Sequence, residues 1–121
     1  MLKDSFYQID AIDQQDTVIV ASLQFNSGHS IFAGHFPGQP VVPGAGMLQM
    51  VKEILAEALG ENYQLKKADN LKFIAPVDPR MAEDTEMKIT FKTQDVGIQV
   101  SARLSVNGVT CFKMQGLFIA I

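Results

Sequence analysis

One side chain in the middle of this sequence, His35, has the type and setting for general-base work on a small substrate. His35 sits in the run Gly34-His35-Phe36-Pro37-Gly38-Gln39-Pro40-Val41-Val42-Pro43-Gly44, and Gln49 and Glu53 follow it. Prolines at 37, 40 and 43 fix φ and remove three amide donors, while Gly38 and Gly44 permit tight turns. A loop stiffened in this way gives a side chain one defined position, which is what a general base needs. A rigid connector alone would need the prolines and glycines but not the histidine. A helix is expected to begin directly after Pro43-Gly44. The unpaired amides of its first turn, at the positive end of the dipole, would then be available to an oxygen atom.

The elements that must hold these groups follow from residue pattern. Phe6 to Ile12 and Thr17 to Phe25 are rich in β-branched and aromatic residues and read as strands, with Asp13 to Asp16 as their turn. Asn26 to Gly44 holds four glycines and three of the five prolines, so a long ordered loop is expected there. From Ala45 the period becomes helical: Met47, Leu48, Val51, Ile54, Leu55, Ala58 and Leu59 share one side, and Gly60 is a stop. Gln49 and Glu53 lie on the opposite face, one turn or about 6 Å apart. Four more strands are expected over Gln64 to Val77, Glu86 to Gln94, Gly97 to Val106 and Val109 to Ile121, with a tight hairpin at Asn107-Gly108. One greasy helix flanked by six strands implies a single α+β domain over residues 1–121, a curved antiparallel sheet wrapped around the helix. The open edges of such a sheet favour edge-to-edge dimerisation.

Composition narrows the partners. At 121 residues and 47% hydrophobic, the chain has one small domain's worth of core and little length to wall off a deep site alone. Its net charge of −3 gives no basic field for nucleic acid, though Lys66, Lys67, Lys72 and Arg80 form a local cluster suited to an acidic partner. No apolar run approaches the roughly 20 residues that cross a bilayer, so no membrane partner and a cytoplasmic location are expected. A single cysteine, Cys111, excludes an internal disulfide and reads as a small core residue on a strand. No His and carboxylate spacing suggests a metal, and no cofactor is expected. His29 reads as a surface residue.

The run from His35 to Gly44 fits His-Phe-Pro-Gly-x-Pro-x-x-Pro-Gly at every specified position, and in this it resembles the β-hydroxyacyl-(acyl carrier protein) dehydratases of fatty acid synthesis, which have the hotdog fold. Asn26 to Phe32 is similar to that family's approach to the histidine, and Lys67 to Val77 to its strand after the helix. The family's proline-glycine-aspartate turn is replaced here by Pro79-Arg80-Met81, and the N-terminal segment is shorter. The resemblance implies a homodimer or higher even oligomer with its site at the subunit interface, at the base of an apolar tunnel. It implies that His35 removes the α-proton of a β-hydroxyacyl thioester, that the Gly44 amide binds the thioester carbonyl, and that the Val41 carbonyl orients the histidine. Phe36, Val41, Pro43, Ala45 and Gly46 are then expected to contact substrate, and Met47, Met50, Met81, Phe32, Phe36 and Phe73 are candidate tunnel residues. The substrate's carrier is an acyl carrier protein or coenzyme A.

The family places an acid on the partner's helix fourteen positions after the histidine, where this chain has Gln49. An amide can hydrogen-bond a departing hydroxyl but not protonate it, and losing a general acid typically slows turnover about 10²- to 10⁴-fold. Three readings follow: His35 serves both steps while Gln49 holds the hydroxyl; Glu53, otherwise a solvated helix residue, replaces the acid; or the protein is an acyl-binding subunit without turnover. A thioesterase of the same fold is a further alternative.

Overall fold

A computed structural model of the protein describes residues 2–29 and 41–121. The elements among them are β1 (Tyr7–Gln15), β2 (Val18–Phe25), α1 (Gly44–Leu59), β3 (Tyr63–Phe73), β4 (Thr85–Thr93), β5 (Ile98–Val106) and β6 (Val109–Ala120). The six strands form one antiparallel sheet in the order β1-β2-β4-β5-β6-β3. The six strands and the helix agree with expectation in type and order, while most of the loop expected over Asn26 to Gly44 lies outside the described residues. The differences lie at ends: β1 runs on to Gln15, because Asp16 accepts a left-handed conformation (φ 56°) and the hairpin closes in two residues. β3 stops at Phe73, where the amides of Ile74 and Ala75 both turn to the Cys111 carbonyl. Asn107 and Gly108 both have positive φ, as the tight hairpin requires.

Alternation along β2, β4 and β5 sends every second side chain inward. Ile19, Ala21 and Leu23, Met87 and Ile89, and Val100, Ala102 and Leu104 are all buried. The apolar side of α1, with Met47, Met50, Val51, Ile54 and Leu55, joins them in one core, completed by Phe112, Met114 and Phe118 from β6. Cys111 is buried on β6, as its type suggests. Full burial of a Leu or Ile contributes roughly 1.5–3 kcal/mol, so the three residues Val51, Ile54 and Leu55 alone pin the helix to the sheet. The helix spans 16 residues and ends at Gly60, whose amide donates to Ala56. No described helix is long and apolar enough to cross a membrane.

The second side of α1 is also covered. Leu2 to Phe6 folds across it before β1 begins, and Phe6 is fully buried against Phe25 and the ring of His29. The short mixed run Leu2-Lys3-Asp4-Ser5 gave no sign of this in the sequence. It is what turns the supposed outer face of the helix into an interior one.

Candidate active site

Two half-sites are built on α1, and each follows from how the helix starts. At its first residue the helix has Pro43 as N-cap with no side-chain cap, and no acidic residue in its first turn. Gly46 and Met47 donate to the Pro43 carbonyl, whereas the amides of Gly44 and Ala45 have no acceptor among the described residues. A Cβ at Gly44 would lie 2.6 Å from an edge carbon of Phe73, so glycine is what lets that ring close over the helix start. Phe73 in turn stacks on Phe112 with ring centroids 5.3 Å apart. Val41, Val42, Gly44, Met47 and Phe73, with Ile74 to Pro76, line a mainly apolar cavity of ≈ 320 Å³ at this end. The Val42 amide, bonded to the Val77 carbonyl, ties the cavity wall to the segment after β3. An oxygen bound here would meet helix N-terminal amides that have no acceptor among the described residues.

The other half-site lies five residues along the helix from Gly44, about 140° around its axis. Gln49 Nε2 donates to Glu53 Oε2 at 2.8 Å. Oε2 also accepts the Leu2 amide at 2.8 Å, and Oε1 accepts the Lys3 amide at 2.8 Å and the Tyr7 hydroxyl at 3.1 Å. Glu53 is therefore a buried carboxylate, not a solvated helix residue as its sequence setting suggested. Burial alone would raise its pKa, but the two backbone amides, Gln49 and Tyr7 together outweigh that and hold it below the ordinary glutamate value. Burial, and then the charge of Glu53, push the Tyr7 hydroxyl well above the usual tyrosine range. Four donors on two oxygens leave Glu53 ionised with no proton to give, which argues against its use as a substitute acid. Tyr7 was not visible as part of this cluster, since a strand tyrosine carries no mark of a partner 46 positions away.

The other candidates distribute as follows. His35 and Phe36 lie outside the described residues, as does Phe32, so their placement relative to Gly44 and Val41 is not described. Val41, Gly44, Met47 and Phe73 come together at the cavity; Pro43 caps the helix beside it, and Ala45 is exposed. Gly46 faces the other way, 3.6 Å from the Phe6 ring for a Cβ built on it. Met50 is core, and Met81 is 68% exposed. Of the basic cluster, Lys67 pairs with Asp69 and Arg80 forks onto Asp78, so Lys72 is separated from them in role. His29 is half-buried against Phe6 rather than at the surface.

A sequence profile of ApeI-like dehydratases matches residues 11–110 of this chain. The chain belongs to the ApeI-like dehydratase family. Among curated relatives it is 28% identical over 127 residues to the 3-hydroxyacyl-[acyl-carrier-protein] dehydratase FabZ of Aeromonas hydrophila, covering 92% of this chain and 78% of that one. It is 29% identical over 82 residues to FabZ of Fusobacterium nucleatum, of which it spans 58%, a little over half the length. Its fold matches the dehydratase heterocomplex ApeI:P from Xenorhabdus doucetiae with a TM-score of 0.75 at 18% identity, over 92% of this chain and 96% of that one. A protein of Erwinia carotovora subsp. atroseptica matches with a TM-score of 0.69 at 20% identity, over 91% and 90%. This ApeI-like chain is a β-hydroxyacyl-carrier-protein-dehydratase-type hotdog protein: a six-stranded antiparallel sheet with one helix among its described residues.

Proposed function

We propose that this ApeI-like protein eliminates water from a β-hydroxyacyl thioester to give the trans-2-enoyl thioester. The observation that carries the reading is the His35-to-Gly44 run ending at a helix N-terminus whose first amides have no acceptor among the described residues and lie at an apolar cavity. In this reading the Gly44 amide holds the thioester carbonyl oxygen, and the cavity takes the acyl chain. His35, oriented by the Val41 carbonyl, removes the α-proton, and the C–H pair becomes the carbon–carbon double bond as the C–O bond breaks. The imidazolium then gives that proton to the departing hydroxyl, which leaves as water.

Gln49, supplied by the partner subunit, holds the hydroxyl. Because Glu53 can only accept, the amide nitrogen of Gln49 must face Glu53, leaving Oε1 to accept the hydroxyl's own proton and turn its lone pair toward His35. The subunits would pair through the edge strand β3, where Leu71, Phe73 and Ile74 are exposed apolar residues beside the cavity. The thioester would arrive on an acyl carrier protein, as the names of the curated relatives suggest, or on coenzyme A.

A second reading has its own support: with glutamine at 49 and Glu53 fully bonded, no carboxylic acid is available among the described residues of the half-site. The chain would then bind acyl thioesters without turnover, and an active partner would complete it. Turnover of a short β-hydroxyacyl carrier-protein thioester by the wild type, His35→Ala and Gln49→Glu proteins separates the two. Enoyl product from the wild type that falls at least about 100-fold in His35→Ala supports the dehydratase. A silent wild type that gains turnover as Gln49→Glu supports the binding subunit.

A further inference from the structure

On the face of the sheet turned away from α1, four cations stand in a single cross-strand row. Lys88 on β4 is directly opposite Arg103 on β5, Arg103 opposite Lys113 on β6, and Lys113 opposite Lys72 on β3. All four are exposed, and none is in an ion pair among the described residues. Like charges directly opposite one another in a sheet repel, so the row works against the fold that displays it. It takes four of the ten basic residues in a chain of net charge −3. Two positions along each strand runs a second row, Thr90, Ser101, Gln115 and Asn70, in the same register. The two rows line one shallow depression, and no carboxylate is among its lining residues.

The pitch of the row selects its occupant. Neighbouring strands are about 4.8 Å apart, so the four charges extend over roughly 14 Å, too far for one phosphate to bridge. Single-stranded nucleic acid is held by aromatic stacking platforms, and no aromatic residue lines the depression. A helix with acidic side chains every three or four residues presents carboxylates about 5–6 Å apart along one face, close to the strand spacing. Laid across the strands it would meet each cation in turn, with the hydroxyls and amides of the second row along its flank.

We propose that this face of the sheet docks an acidic helix of a partner protein. The site is on the far side of the sheet from the Gly44 cavity, and it does not depend on the elimination chemistry proposed above. The test uses two helix-forming peptides, one with Glu at positions i, i+4, i+7 and i+11 and one with Gln there, titrated into isotope-labelled full-length protein and followed by amide NMR shifts. The Glu peptide is expected to bind saturably, to shift residues of both rows, and to weaken as salt rises. The Arg103→Gln/Lys113→Gln double variant is expected to lose that binding at least tenfold while its melting temperature stays level or rises, since it removes the repulsion. A Glu peptide that binds no better than the Gln peptide overturns the proposal, as does a double variant that binds like wild type. Binding of tripolyphosphate or an oligodeoxythymidine to the rows, with no peptide binding, overturns it too.

Discussion

The Gln49 side chain is polarised by Glu53: its amide nitrogen donates to Oε2 at 2.8 Å, so its carbonyl oxygen is the atom left to face outward. The same carboxylate anchors the start of the chain through the amides of Leu2 and Lys3. One buried charge thus sets both the N-terminal fold and the hydrogen-bonding sense of the residue at the family's acid position.

Glu53→Ala should destabilise the protein by about 2–4 kcal/mol, because it leaves several buried donors without an acceptor. Thermal melting checks this, with a fall of roughly 4 °C per kcal/mol expected for a domain of this size. The pH dependence has a definite sign. The folded-state pKa of Glu53 lies below its ordinary value of 4.5, so its contribution is complete above that value and is lost as pH falls below it. Wild type should therefore lose stability between about pH 5 and the lowered value more steeply than Glu53→Ala does.

Gln49→Glu places a second carboxylate against the first, at hydrogen-bond distance. Two carboxylates so close share one proton, and the second pKa of the pair rises. The variant should be less stable than wild type at pH 8 and recover as pH is lowered toward 5, opposite in direction to the trend above. If elimination is limited by protonation of the hydroxyl, the variant should also turn over about 100-fold faster or more, with its optimum shifted to the acid side. A flat difference in melting temperature from pH 5 to 8 would show that the two groups do not interact.

These effects concern the part of the molecule that was hardest to read from sequence. The strands, the helix and the Asn107-Gly108 hairpin were legible because alternation, the 3.6-residue period and turn chemistry are local signals. The helix start was legible to within one residue for the same reason, expected at Ala45 and found at Gly44. The burial of Glu53 was not, because the cover that encloses it, Leu2 to Tyr7, is distant in sequence and partly polar. The cation row was likewise hidden: Lys72, Lys88, Arg103 and Lys113 are scattered along the chain, and only strand order and register align them. The sequence instead pointed to Lys66, Lys67, Lys72 and Arg80, which fall close together along the chain and two of which turn out to be paired.

Gly44→Ala should destabilise by about 1–3 kcal/mol, since its Cβ would sit 2.6 Å from the Phe73 ring. The clash has a single main partner, so Phe73→Leu in the same chain should recover most of the loss. Double-mutant melting curves test this. A coupling near zero would mean that the ring moves aside at little energy. If the Gly44 amide binds the thioester carbonyl, the double variant should regain stability without regaining full turnover, because the altered cavity no longer fixes the acyl group beside that amide.

The final prediction concerns the β3 edge, where Phe73 is 54% exposed and Leu71 and Ile74 lie beside it unburied. An edge strand is ordinarily blunted, and β3 is so in part: two register shifts, at Leu65/Lys67 and Ala68/Asn70, interrupt its pairing with β6. Its last residues carry no such protection and leave their apolar side chains open. Pairing with a second copy would cover them and would close the cavity at Gly44. Leu71→Glu should then shift the protein from dimer to monomer in analytical ultracentrifugation, with the monomer's far-UV circular dichroism unchanged. In the dehydratase reading proposed above, turnover should fall with the dimer fraction, because Gln49 of one subunit would serve the site of the other. A Leu71→Glu protein that remains a dimer would move the interface away from this edge.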